Sequence, residues 1–267
     1  MIRKPAVAGQ FYPGDERSLR EEVERCLDLR LPKEDAIALV APHAGYIYSG
    51  KVAGAVYSSV NLPQVFVILS PNHTGMGSEG AVMSQGGWET PLGVANINQA
   101  LAEKILEKSS TLAADPLAHV QEHSLEVQLP FIQFLVSDFT FVPICLGLNQ
   151  LSELKEIGSA IAQAIKESEE KVLMVASTDM THFENQTSAE RKDKLAIDKI
   201  LALDPEGLHK TVMENRITMC GVAPTVAVLQ AAKELGASKA ELIKYSTSGA
   251  MSRDFSNVVG YAGLVIR

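Results

Sequence analysis

Four short stretches carry the side chains best placed to do chemistry. "VAPHAGYIYSG" (40–50) is an apolar run that stops at Pro42 and presents His43. "VFVILSPNHTG" (65–75) repeats the arrangement with His73, and "VLMVASTDMTHF" (172–183) does so with Asp179 and His182. "ITMCGVAPTVAVL" (217–229) sets Cys220 in a Gly/Pro-punctuated turn just before a predicted helix. A thiol near a helix N-terminus ionises more easily, and a thiolate is both a nucleophile and a metal ligand. Two imidazoles and one thiolate, His43, His73 and Cys220, form a competent donor set for zinc, copper or iron, whereas magnesium and calcium prefer oxygen. Three protein ligands leave a coordination position open, as catalytic metal sites do. Asp179 and His182 would then act as an acid/base pair, the carboxylate orienting the ring.

A single histidine after a strand is more often a solvated loop residue or a turn anchor. Three strand-end positions among six histidines are harder to dismiss. "QEHSLEVQLPF" (121–131) adds Glu122 and His123 at the start of a predicted helix, where the acid suits the helix dipole and His123 either caps locally or lines the pocket. Tyr46, Tyr48 and Glu122 are candidate substrate-binding residues, the tyrosines either donating phenolic hydrogen bonds or simply packing. His119 and His209 follow no strand and read as surface residues. Cys145, inside an apolar strand, and Cys26, on the packed face of the first helix, read as core thiols.

The elements that must position these side chains alternate along the chain. "DERSLREEVERCLDL" carries a capping-box pattern, Ser18 with Glu21, ahead of a helix. Strands are predicted over 36–41, 65–70, 139–147 and 171–177. Helices are predicted over 49–60, 97–109, 122–136, 205–216 and 223–235. "LSELKEIGSAIAQAIKES" aligns Leu154, Ile157, Ile161 and Ile165 on one face. Another helix is opened by the box from Thr187 to Glu190. Residues 80–93 read as a short hairpin or irregular excursion, and "AELIKYST" and "VVGYAGLVI" as closing strands. Such alternation predicts one α/β domain over residues 1–267, with a central, mostly parallel or mixed sheet flanked by helices. In open α/β sheets, ligands sit beyond the carboxyl ends of the strands, where His43, His73, Asp179 and His182 fall.

Composition narrows the functional classes. A formal net charge of −8, with no dense Lys/Arg cluster, argues against nucleic-acid binding. No apolar run approaches the roughly 18 residues of a membrane span, and the N-terminus lacks the apolar stretch of a signal peptide, so a cytoplasmic chain is expected. Three dispersed cysteines do not make a disulfide framework.

Read in order, "AGQFYPG", "APHAGYIYSG", "SPNHTG", "WETPLG", "EHSLEVQLPF", "STDMTHF", "TMCG" and "GYAGLVI" resemble the Memo family, whose prokaryotic members are also called AmmeMemoRadiSam system protein B. The resemblance spans about residues 5 to 263. It implies a fold similar to the class III extradiol dioxygenases of the LigB type, which use non-haem iron. It also implies a copper or iron pocket held by His43, His73 and Cys220. By the same resemblance Asp179, His182 and His123 are pocket residues, with His182 placed like the dioxygenase acid/base. The dioxygenases hold iron through two histidines and a carboxylate, so a cysteine here prevents ring cleavage from being carried over. Animal members have tryptophan where this chain has Phe11, and their phosphopeptide-linked signalling does not transfer to a chain without an evident phosphate-reading arginine cluster.

Three functions compete. The first is a metal-dependent redox enzyme using Fe(II) or copper on an unidentified small-molecule or peptide substrate. The second is metal-free catalysis by Cys220, His182 and Asp179, with zinc hydrolysis as a close variant. The third is a binding protein with an enzyme-like pocket, working beside the radical-SAM and AMMECR-type proteins that the family's alternative name implies.

Overall fold

A computed structural model describes all of residues 1–267. In chain order the elements begin with β1 (Ile2–Arg3), α1 (Glu16–Cys26), β2 (Ala38–Ala41), α2 (Tyr46–Ser58) and β3 (Val65–Pro71). β4 (Gly80–Val82), β5 (Gly87–Thr90) and β6 (Gly93–Ile97) fill the stretch expected to be a hairpin or irregular. α3 (Gln99–Lys108), β7 (Ala113–Ala114), α4 (Leu129–Leu135), β8 (Thr140–Leu146), α5 (Leu151–Lys166) and β9 (Val172–Ser177) follow. The remainder is β10 (His182–Glu184), α6 (Gln186–Leu201), α7 (Pro205–Glu214), α8 (Val222–Glu234), β11 (Ala240–Thr247), α9 (Gly249–Ser252) and β12 (Val258–Ile266). No helix is long and apolar enough to cross a membrane.

The expected α/β architecture is present. One mixed sheet runs in the order β1-β5-β6-β8-β3-β9-β2-β12-β10, with β11 on β12 and β4 joining β8 to β7. Its centre, β8-β3-β9-β2, is parallel, and β12 lies antiparallel against β2. The central strands are apolar on both faces because both faces are covered. Val40, Val67, Leu69, Met174 and Ala176 face a core packed with α3, α5 and α8. Their neighbours Leu39, Ala41, Phe66, Ile68 and Val175 face a second core with α1, α2 and α4. This strict alternation is the period-two pleat of a strand.

Register makes the strands converge. β9 lies between β3 and β2, with Leu69 opposite Ala176 and Ala41 opposite Ser177. The carboxyl ends of three neighbouring strands therefore lie side by side, and the segments that leave them carry His73, Asp179 and His43.

Several local expectations are corrected. α1 is capped by Asp15, which accepts from the Ser18 N–H, rather than by a Ser18 box. α6 is capped by Asn185, not Thr187. Residues 122–125 are not helical: a short 3-10 turn over Glu126–Gln128 precedes α4. Glu122 and His123 thus sit in a loop, and the helix-dipole reading of Glu122 falls.

Candidate metal centre

His43 leaves β2 and is almost completely buried. Its environment fixes its tautomer. Ser177 Oγ donates its single proton to Ser124 O at 2.6 Å, and Gln128 Nε2 donates to Ser177 Oγ at 2.9 Å. Gln128 is itself oriented, donating to Pro42 O and accepting from Tyr57 Oη. The only role left to Ser177 toward His43 Nδ1, 3.0 Å away, is acceptor. His43 therefore carries its proton on Nδ1, and the Nε2 lone pair faces Cys220 Sγ at 3.2 Å. Burial, then the neighbouring His73 and His123, hold its pKa well below the ordinary value, so the ring is neutral, as a ligand must be.

His73 is held by a fully buried carboxylate. Glu122 Oε2 accepts the His73 backbone N–H at 2.6 Å and Oε1 accepts from His73 Nδ1 at 2.9 Å. Ser124 donates to the same carboxylate through its amide and its hydroxyl. Burial alone would raise the Glu122 pKa, but these hydrogen bonds from His73 and Ser124 outweigh it and hold the carboxyl at about 2. An ionised acceptor on Nδ1 leaves His73 Nε2 free, the carboxylate–histidine arrangement common behind metal ligands. Glu122 was expected at the substrate; it lies behind His73 instead.

His123 completes the imidazole cluster. It stacks on His73 with ring centroids 4.8 Å apart, meets His43 edge-on at 5.6 Å, and packs on Phe11 at 4.7 Å. Its Nδ1 lies 3.5 Å from Glu122 Oε1, and burial lowers its pKa. One donor atom from each of His43, His73 and His123 lies within 4.8 Å of the others.

Cys220 is brought beside His43 by a close backbone approach, but the three-donor group holds His123 in the place expected for it. A Cβ on Gly221 would lie 2.4 Å from Ser177 O and 2.4 Å from Thr178 Cβ, so only glycine lets the start of α8 press against the end of β9. The Asp179 amide donates to Cys220 Sγ at 3.3 Å. Its place at the start of α8 does not ionise the thiol: burial, and then the Asp179 carboxylate, push the Cys220 pKa up. A free thiolate is disfavoured there until a cation arrives.

Asp179 does not orient His182. Its Oδ1 accepts the backbone N–H of His43 at 2.8 Å, and burial pushes its carboxyl up to about 6. His182 Nδ1 instead faces two carbonyls, Met180 O at 2.7 Å and Thr218 O at 2.8 Å. Phe183, at φ 61°, is the extra residue of a bulge between His182 and Glu184. Tyr46 is buried, its hydroxyl bound to Val127 O at 2.6 Å, so it packs; Tyr48 is exposed.

His119, expected on the surface, is fully buried with neither ring nitrogen hydrogen-bonded. His209 is bound to Asn149 O at the surface. Cys26 and Cys145 are core thiols, as expected. A cavity of about 420 Å³ lined by Ala36, Ile37, Pro63, Lys171 and others lies at the opposite, amino-terminal ends of β2, β3 and β9 and gathers no histidine or cysteine.

With this geometry in place, comparison with known proteins decides the family. The family model described as Memo-like protein matches residues 3–265. This chain belongs to the Memo family. A MEMO1 family protein of Methanopyrus kandleri is 43% identical over 281 residues, covering 100% of this chain and 99% of the relative. One from Methanothermobacter thermautotrophicus is 42% identical over 276 residues, covering 99% and 100%. A solved structure of an uncharacterized protein from Escherichia coli shares 14% identity at TM-score 0.56, covering 85% of this chain and 98% of that one, and shows likeness of fold alone. In this Memo-family protein, sequence reasoning missed Ser177, Gln128 and Ser124, the small polar residues that set the histidine tautomers. Their signal was slight: one hydroxyl at the end of the apolar run 172–177, and a hydroxyl and an amide within the mixed stretch 121–131.

Proposed function

We propose that this Memo-family protein is a metal-dependent enzyme of the redox class, working with iron or copper. The observation that carries the reading is convergence: His43, His73 and His123 present donor atoms within 4.8 Å of one another, with Cys220 Sγ 3.2 Å from His43 Nε2. The fit of this site to a metal is supported by the protons, not only by the residue types. His43 and His73 both spend Nδ1 on acceptors behind them, so both Nε2 lone pairs are free. A cation there would also relieve the cost of ionising the Cys220 thiol beside Asp179. Imidazole with thiolate suits copper and iron, and zinc is the variant that would mark a hydrolase.

Bound iron or copper would supply electron transfer and activation of a small oxidant or substrate. The chain's own residues do the rest. Glu122 and Ser177 keep His73 and His43 in one tautomer and one orientation. Asp179 fixes the backbone of His43, and Phe11 covers one side of His123. His182, whose Nδ1 proton is committed to carbonyls, offers Nε2 as an acceptor for a proton from substrate. The metal-free alternative fares less well, because burial and Asp179 oppose the thiolate it needs and it leaves His43 and His73 without a task.

Metal analysis of protein purified without added metal, and after anaerobic reconstitution with Fe(II) or Cu(I), tests this. The wild type should hold one ion per chain and the His43→Ala/His73→Ala variant none; equal and negligible metal in both defeats the proposal. Reductant-driven oxygen uptake that follows iron or copper loading, and is absent with zinc, separates redox chemistry from hydrolysis.

A further inference from the structure

His182 and Cys220 sit on different segments, and a single residue of the Cys220 segment binds the His182 segment to it. Thr218 Oγ1 accepts the His182 backbone N–H at 2.7 Å and donates back to His182 O at 3.3 Å, while Thr218 O lies 2.8 Å from His182 Nδ1. Three contacts thus join Thr218 to one histidine. Thr218 is itself held between buried Ile217 and Met219, two residues before Cys220.

We infer that Thr218 is a positioning residue that holds His182 in the Nδ1–H tautomer, leaving Nε2 bare as an acceptor. This rests on the proposed role of His182 as proton acceptor. The chemistry is direct. Both groups facing Nδ1, Met180 O and Thr218 O, are carbonyls and can only accept, so the neutral ring must carry its proton on Nδ1. Imidazole side chains free in water favour the other tautomer, with the proton on Nε2 and no acceptor lone pair there. The Thr218 hydroxyl keeps its own carbonyl in register with the ring by closing a two-bond clasp on the His182 backbone. Because Thr218 is solvent-exposed, the clasp contributes little to the core, and its purpose must be sought in the ring it aims.

Histidine-selective ¹⁵N NMR on the full chain, metal-free and zinc-loaded, tests the inference without needing a substrate. Wild type should show His182 as the single Nδ1–H tautomer with a slowly exchanging amide. Thr218→Val, which keeps shape but loses the hydroxyl, should mix the tautomers and speed exchange of the His182 amide on the order of tenfold, the loss expected for one hydrogen bond. Thr218→Ser should restore both signatures. A Thr218→Val spectrum identical to wild type, or a Thr218→Ser variant as perturbed as Thr218→Val, overturns the inference; Thr218→Ala serves in place of the valine variant should that fail to fold. Zinc stoichiometry measured on the same samples keeps the two proposals apart, since a wild type that binds no metal sinks the metal centre but leaves the tautomer result standing.

Discussion

Glu122 grips His73 at two points, its Oε2 on the backbone N–H at 2.6 Å and its Oε1 on Nδ1 at 2.9 Å. The bond to the amide fixes where the ring starts, and the bond to Nδ1 fixes how it turns and which nitrogen is free. Glu122→Gln keeps the shape but has to present an NH₂ group where one of these two acceptors stood. Metal affinity should fall by roughly 10- to 100-fold, the usual cost of losing a carboxylate behind a ligating histidine. Competition titration against a chelator of known affinity measures it, and unchanged affinity would show that the carboxylate is merely buried.

Cys220 and His123 compete for the remaining place beside His43 and His73. Cobalt(II) substitution separates them, because a thiolate ligand adds a strong near-ultraviolet charge-transfer band that imidazole lacks. The band should be present in wild type, absent in Cys220→Ser, and retained in His123→Ala. A wild-type spectrum without it would place the metal on the three imidazoles alone.

Much of this site was legible because each hydrophobic run stops abruptly, at Pro42, at Pro71 and at Ser177, and a parallel strand can aim only at its carboxyl end. The placement of β9 between β2 and β3 is a long-range fact that no local pattern encodes, so convergence was an inference about topology. The conformation of 119–128 was less legible still. Its charges and apolar residues suit a helix start, yet Arg3 captures Glu126 from 123 residues away, and helical backbone begins only at the 3-10 turn of Glu126–Gln128. The partner of His182 was misread for a related reason. Asp179 is near in sequence, but its carboxylate is engaged by the His43 backbone, and the carbonyl of Thr218 arrives from a distant turn.

His119 gives the fold a pH dependence of predictable sign. Burial, and then the Arg3 charge, press its pKa down to about 4, while an unfolded histidine titrates near ~6.5. Above about pH 6.5 neither state is protonated and stability is unaffected. As pH falls from there to about 4 the unfolded chain takes up a proton that the native chain refuses, and stability drops by as much as about 3 kcal/mol. Asp179, raised to about 6, acts oppositely and loses stability as pH rises from ~4 to 6. Glu122, held at about 2, matters only below ~4.5. The depressed His43 and His123 add to the acid side of the wild-type slope as well, but they are common to both proteins, so the variant difference isolates His119. His119→Leu should be markedly more stable than wild type at pH 5 and less so at pH 7, where only the unpaired buried ring is removed. Urea unfolding at the two pH values decides it, and a difference independent of pH would mean that His119 is paired.

Arg3 is the anchor of the loop that carries Glu122 and His123. One guanidinium donates from Nε to His119 O at 2.6 Å, from Nη2 to Glu122 O at 2.6 Å and from Nη1 to Glu126 Oε2 at 2.5 Å, and it lies 4.0 Å from the centre of the Trp88 ring. Glu126 is fully buried and also accepts from the amides of Ala6 and Val7 and from Tyr12 Oη. Those donors are neutral, so removing Arg3 leaves a buried carboxylate without its countercharge. Arg3→Ala should therefore destabilise by about 3–5 kcal/mol. Arg3→Lys restores the charge but offers a point donor in place of a planar fork, and it cannot reach the carbonyls of 119 and 122 and the Glu126 carboxylate together. The lysine variant should recover part of the stability while its metal affinity stays weakened, because the 119–126 loop is no longer pinned at both ends. Denaturation curves paired with metal titration separate the two effects. A lysine variant with wild-type metal affinity would show that the countercharge alone is needed and that the fork does nothing for His123.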